Sequence, residues 1–379
     1  MTKKIAFISS NIGSIKSFLN ISIKKLSKKN FIYIYSNRGE VKSFSDFESK
    51  TIRFIHIPIN RNISLFSDLK CFFKLLFYMF RDRPDIIITL TPKGGLLGIA
   101  TSFLTFVKKR VHYYTGQVWV TKKGLLKKLL KLIDKIIFNM CTDVLSDSYH
   151  QKKFLEDKKI VSQDSLKVLA NGSICGVDTS RFYPNTNYRS EIRKNYNISS
   201  DSIILLFLGR LSKDKGILDL ANVFNEILMK KISKDIYLFL VGSDEENIKI
   251  KIEALCKKNL KKIFFIEFTD YPEKYMAAAD IFCLPSYREG FGMAALEASA
   301  CELPVITSKI YGLIDAVKEN YTGLFHEVKN KEQMKRCIIR LVEDEKLRET
   351  LGKQGRERVL KDFQQEYVTN EFVKFIQNL

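Results

Sequence analysis

Between residues 203 and 307 the chain repeats one pattern: a short apolar run, a turn with Gly or polar residues, then a stretch with helical spacing. The apolar runs fall at 203–208, 236–241, 263–267, 281–284 and 304–307, and they are continuous rather than alternating. Runs of that length bounded by turn signals read as strands buried on both faces. Strands separated by helices are joined as parallel neighbours through crossovers. The second half is therefore expected to be a parallel sheet covered on both sides. Such sheets take ligands outside the carboxyl ends of their strands, so the residues just after each run are where a site should lie.

Two of those junctions carry distinctive chemistry. After the first run stands Gly209-Arg210-Leu211-Ser212-Lys213-Asp214-Lys215-Gly216. A planar guanidinium and a point-charge ammonium flanked by glycines suit a diphosphate, with the amides of a following helix N-terminus adding to them. After the fourth run comes Ser286-Tyr287-Arg288-Glu289-Gly290-Phe291-Gly292-Met293-Ala294-Ala295-Leu296-Glu297-Ala298. The two glycines allow close backbone approach to a ligand, and the Ala-rich segment that follows has high helix propensity. Glu289 is expected in the loop and Glu297 about one turn into the helix. Side chains near 242–244 and 269–271 follow the second and third runs and are candidates for contact with a base or ribose.

The first half reads as a second α/β unit. Strands are expected at Lys4–Ser10, Phe31–Tyr35, Ile52–Ile57, Asp85–Leu90, within Arg110–Trp119, at Val144–Ser148 and at Lys167–Ser173. Gly13 follows the first strand and opens a helical stretch, as a nucleotide-fold half does, or serves as a plain turn residue. Lys93 with Gly94 and Gly95 could meet a phosphate or form only a tight turn. Trp119, the only tryptophan, suits either an acceptor sugar or a core anchor. The helix over 65–80 carries more aromatic and aliphatic surface than one core face needs, and burial against the sheet is expected for it. The helix over 122–140 has apolar positions 125, 126, 129, 130, 133, 136, 137 and 140 against six lysines. Its apolar stripe is expected on the sheet and its lysines near anionic headgroups.

Glu289 and Glu297 with Gly290-Phe291-Gly292 between them, followed by Glu302-Leu303-Pro304-Val305-Ile306, resemble the paired-glutamate signature of the family 4 retaining glycosyltransferases, here of the bacterial surface-polysaccharide type. Gly176-Val177-Asp178 with Phe182-Tyr183-Pro184 resembles the interdomain link of the same family. The resemblance covers nearly the whole chain. It implies the GT-B fold, an α/β architecture of two facing Rossmann-like domains with parallel sheets. The expected division is an acceptor-binding domain over 1–180, a link over 181–202, a nucleotide-sugar donor domain over 203–360, and a helix over 361–379 that crosses back to the first domain. The resemblance further implies catalytic parts for Glu289, Arg210 and Lys215. Donor binding falls to Gly209, Arg210, Lys215, Gly290, Phe291, Gly292, Met293, Glu297 and Gly13, with Glu297 on the ribose and Glu289 on the donor sugar. In the family a histidine commonly follows a Thr in the first domain and enters the cleft; here Gln117 stands near that place and His112 lies earlier, inside a strand, so the resemblance implies only a cleft-lining part for Thr115, Gly116 and Gln117. No Asp-x-Asp occurs, and with cations available for the leaving diphosphate, no metal or cofactor is expected.

Charge points to the partners. Residues 1–180 hold 31 Lys and Arg against 13 Asp and Glu, whereas residues 181–379 hold 32 against 29. A basic half suits an anionic surface, either membrane or nucleic acid. No nucleic-acid-binding signature appears, so the expected partners are a nucleotide-sugar donor, expected to be UDP-linked, a lipid-diphosphate-linked saccharide acceptor and an anionic membrane. A non-catalytic basic binding protein, on nucleic acid or as a scaffold of a glycan-assembly complex, is the alternative. Seven scattered cysteines without a C-x-x-C suit reduced thiols. The apolar run Ile5–Ile8 is too short for a signal-peptide core and no stretch is long enough to span a bilayer. The expected place is the cytoplasm, on the inner face of a bacterial membrane.

Overall fold

The apolar runs become two all-parallel sheets in the computed structural model, which describes residues 2–39, 47, 49–60, 64–229 and 233–379. The chain divides into two compact units: Met1–Gly176 with Glu366–Leu379, and Val177–Gln365.

In the first unit a seven-stranded sheet is built from β1 (Lys4–Ser9), β2 (Phe31–Ser36), β3 (Ile52–His56), β4 (Ile86–Thr89), β5 (Lys109–Tyr114), β6 (Asp143–Ser146) and β7 (Leu166–Val168). Its order is β3-β2-β1-β4-β5-β6-β7. The crossovers are α1 (Ile12–Ser27), α2 (Leu65–Asp82), α3 (Pro92–Leu104), α4 (Gly124–Met140) and α5 (Tyr149–Asp157). Two expectations need correction here. Helix α2 buries Cys71, Leu75 and Met79, but most of its aromatic residues stay on the solvent side. Of the apolar stripe on α4 only Ile137 is fully buried, while Leu125, Leu126, Leu129 and Ile136 are exposed. Each helix has more apolar surface than one contact with the neighbouring layer covers.

The second unit holds β8 (Ile203–Leu208), β9 (Ile236–Val241), β10 (Ile263–Ile266), β11 (Ile281–Leu284), β12 (Val305–Ser308) and β13 (Gly323–His326), in the order β10-β9-β8-β11-β12-β13. Its helices are α6 (Thr186–Asn195), α7 (Ile217–Leu228), α8 (Ile248–Leu255), α9 (Pro272–Ala278), α10 (Met293–Ala300), α11 (Tyr311–Ile314), α12 (Lys331–Glu343) and α13 (Glu345–Asp362). Strand β8 is buried along almost its whole length, as a central strand covered on both faces must be. Strand order reverses between β8 and β11, which opens a crevice at their carboxyl ends.

Residues 181–202 are not a link. They contain α6, which packs on α9 and is clamped from inside: Arg189 and Arg193 both donate to the carboxylate of Asp280, at 2.6 and 2.5 Å. Asp280 also accepts from the amide of Ile204 at 2.7 Å, so the clamp reaches the start of β8. The last helix, α14 (Gln365–Gln377), belongs with the first unit. There Phe372 is buried with its ring 6.4 Å from that of Tyr113, and Asn370 accepts from Lys25 at 2.8 Å.

Candidate functional site

Arg210 and Lys215 sit in one loop at the carboxyl end of β8, and Glu289 sits in the loop after β11, the neighbouring strand across the order reversal. The two loops are locked together through their backbones. Gly216, at φ 67°, precedes α7, and a Cβ there would stand 2.0 Å from the carbonyl oxygen of Pro285. Only glycine permits both the left-handed conformation and that approach. The amide of Tyr287 donates to the carbonyl of Asp214 at 2.8 Å, and the guanidinium of Arg288 meets the Asp214 carboxylate at 3.0 Å.

This framing brings Lys215 Nζ to 2.5 Å from Glu289 Oε1, with both side chains largely buried. The hydroxyl of Ser286 donates to the same oxygen at 2.8 Å. Arg210 instead pairs with Glu245 at 2.8 Å, where both groups are substantially exposed. An exposed pair of that kind is worth about 0–1 kcal/mol, so a diphosphate can displace it at little cost. Glu245 and Ser286 are partners that the sequence reading missed. Glu245 follows β9 in an acidic run with no motif of its own, so only the fold sets it opposite Arg210.

Glu297 lies one turn into α10. Burial raises its carboxyl to about 7, Arg181 opposes the shift and Glu273 adds to it. Arg181 is held by Glu273 at 2.9 Å. A group poised between its two protonation states near neutrality answers readily to hydrogen-bond donors such as ribose hydroxyls. Gly290, Gly292 and Met293 stand at the entrance to α10, with Gly292 as its left-handed N-cap. The ring of Phe291 is buried against that of Phe363 at 5.7 Å, which leaves the backbone amide as the group a donor could meet. Gly209 joins β8 to the Arg210 loop by donating its amide to the carbonyl of Val241 at 2.9 Å.

Candidates in the first unit are placed differently. Gly13 lies in the first turn of α1, where its amide donates to the capping Asn11 at 2.7 Å. Lys93 Nζ is 2.7 Å from Asp68, so it ties α3 to α2. The neighbouring Gly95 has a packing reason, since a Cβ there would lie 2.4 Å from the ring of His112. His112 itself is buried, bonded to Thr89 at 2.7 Å, and burial pushes it down to about 3, which keeps it neutral. Trp119 is the core anchor of its two readings. It is buried, stacks on Phe154 at 5.4 Å and donates from Nε1 to Asp134 at 2.7 Å. Gln117 is likewise buried and accepts from Gln151 at 3.4 Å, while Thr115 and Gly116 are half-buried in the turn after β5.

Comparison with known proteins decides the family. Residues 188–358 match the description of glycosyl transferases group 1. A capsular polysaccharide biosynthesis glycosyltransferase, CapM of Staphylococcus aureus, is 32% identical over 83% of this chain and 82% of its own length. The chain belongs to the group 1 glycosyl transferases. A UDP-Gal:alpha-D-GlcNAc-diphosphoundecaprenol alpha-1,3-galactosyltransferase of Escherichia coli is 28% identical over 84% of this transferase and 82% of the relative. Among solved structures, sucrose-phosphate synthase from Thermosynechococcus elongatus has the same fold, with a TM-score of 0.82 at 22% identity, covering 99% of this chain and 98% of that one. The transferase therefore has the GT-B architecture of two Rossmann-like halves, and its family transfers sugars. No helix among the described residues is long and apolar enough to cross a membrane.

Proposed function

We propose that this glycosyltransferase moves a sugar from a UDP-linked donor, an N-acetylhexosamine or a deoxy derivative, to a lipid-diphosphate-linked saccharide with retention of anomeric configuration. The assembly served is bacterial capsule, O-antigen or a related glycan, and the enzyme works peripherally at the inner face of the cell membrane. The observation that carries the reading is the Lys215–Glu289 contact beside the Arg210 loop, at the switch point of the second sheet. The relative named for a UDP-sugar and an undecaprenol-diphosphate acceptor supports the choice of substrates.

Lys215 neutralises Glu289 and Arg210 rests on Glu245. A donor diphosphate competes for both cations. When it wins, Glu289 is released toward the hydroxyls of the sugar, and Arg210 and Lys215 face the oxygens on which charge develops as the glycosidic bond breaks. Two fixed cations supply that stabilisation from protein alone, so the transfer is proposed to run without a metal. Glu297 holds the ribose through its carboxylate.

The test is turnover with a panel of UDP-sugars on a short-chain lipid-diphosphate-linked N-acetylglucosamine, with the anomeric proton of the product read by NMR. Wild type should form an α-linked product from an α-linked donor, with or without chelator. Lys215→Ala and Glu289→Gln should each lower kcat by roughly two to three orders of magnitude, the scale of losing one stabilising group. Unchanged rates in both variants, or inversion, would overturn the reading.

A further inference from the structure

The outer face of the α2–α3–α4 layer is apolar, where a solvent-facing helix layer is ordinarily polar. On α2, Phe66, Leu69, Phe73, Phe77 and Phe80 recur at spacings of three and four, opposite the buried face, and Phe66 is 92% exposed. Helix α3 packs against both α2 and α4 and ends in exposed Phe103, Leu104 and Phe106. On α4, Leu125, Leu129, Leu132 and Ile136 form a second outward stripe, with Leu125 83% exposed. The flanking helices of a parallel sheet run in one sense, so the ends of α2 and α3 bring Phe80 and Phe106 to the same edge.

Phe106 is an unusual local choice. The amide of Val107 donates to Ser102 at 2.9 Å and that of Phe106 to Phe103 at 3.1 Å, closing α3 with Phe106 at φ 56°. Glycine is the usual residue at that left-handed position, and a bulky side chain there is strained. The chain nevertheless puts a phenylalanine there, and it is 88% exposed.

Charge identifies what covers this face. Residues 64–140 carry 14 Lys and Arg against four Asp. All four carboxylates are engaged: Asp68 by Lys93, Asp82 by Arg81 and Tyr35, Asp85 by the amide of Lys4, and Asp134 by Trp119. None in this segment remains to offset Lys70, Lys108, Lys122, Lys123, Lys128 and Lys135, which are exposed. A second copy laid on this face would set cations against cations. An anionic bilayer offers hydrocarbon to the aromatics and phosphates to the lysines.

We propose that α2 and the end of α3 insert their aromatic side chains into the boundary between headgroups and acyl chains of an anionic membrane, with the lysines of α4 on lipid phosphates. The proposal deepens the membrane placement above and rests on it, but its test needs neither donor nor acceptor. The full chain is floated with vesicles of equal parts phosphatidylglycerol and phosphatidylcholine. Combined Phe66→Ser, Phe73→Ser and Phe77→Ser should weaken partitioning roughly ten-fold or more, given the apolar area withdrawn. The change is at exposed positions, so Tm should be unaltered. Phe77→Trp should be quenched by lipids brominated on their acyl chains. Unchanged partitioning of the triple variant, or no quenching of Phe77→Trp, would overturn the proposal. So would a wild-type dimer that the triple variant dissociates without loss of lipid binding, which would make this face an interface between copies. Failure of sugar transfer alone leaves the vesicle result standing.

Discussion

Glu297 is the candidate-site carboxyl whose ionisation should be felt in ordinary buffers. Burial holds its carboxyl up to about 7, against the usual glutamate value of ~4.3. Between those values folded Glu297 holds a proton that the unfolded chain has lost, so this group's contribution to stability falls as pH rises through that window; Asp134 and Asp147, held up by burial to about 6 and about 8, add slopes of the same sign. Glu297→Gln should reduce that slope in urea titrations across the window, leaving the part that Asp134 and Asp147 supply. Ribose hydroxyls donate to the ionised form, so affinity for a UDP-sugar should rise as pH passes through about 7, and the variant should lose that rise; a pH-independent wild-type affinity would remove Glu297 from the ribose. The glutamates were legible in the sequence because a motif fixes both their spacing and the glycines between them. The partners that position Lys215 and Arg210 were not, since Ser286 and Glu245 reach them only once β8, β9 and β11 lie side by side. Phe291 shows the converse: a motif residue whose side chain serves the core rather than the ligand.

At the level of elements, strands buried on both faces announced themselves as continuous apolar runs, and that is why the second sheet could be read directly. Strand β13 was missed because Gly323-Leu324-Phe325-His326 is short and mixed. Helices α2 and α4 defeated the reading for a different reason: their apolar surplus was plain, but periodicity cannot say which of two apolar faces finds a partner. Helix α6 reads as connecting sequence because its anchor, Asp280, lies far away in the chain. Asp280 and Arg193 are nearly buried, so breaking the clamp leaves a buried guanidinium without its counter-charge, held only by backbone carbonyls such as those of Ala278 and Ser199. Asp280→Ala should cost about 3–5 kcal/mol by urea unfolding. A cost under about 1 kcal/mol, the range of an exposed pair, would show that α6 is not held this way.

For the molecule as a whole, the two units share one chain that visits the first, builds the second and returns. The return was legible from family resemblance alone, because nothing in the polar-and-apolar pattern of the last residues says which sheet they join. Phe372 and Ile376 are buried in the first unit, so a chain ending at 365 should open that unit's core and lower its unfolding temperature. Nucleotide binding by the second unit should persist in that truncated chain, as read by calorimetry. The central claim is that the loops after β8 and β11 hold a nucleotide-sugar. It is tested most directly by thermal stabilisation with UDP, GDP and a set of UDP-sugars, on wild type, Arg210→Ala and Lys215→Ala. A ligand that binds only the folded state raises Tm in step with its affinity. The expected result is a shift with UDP and one UDP-sugar that each substitution reduces, by the roughly 1.5–3 kcal/mol of a lost charge-assisted hydrogen bond. No shift with any nucleotide in folded wild type, or a shift that survives both substitutions, would contradict it.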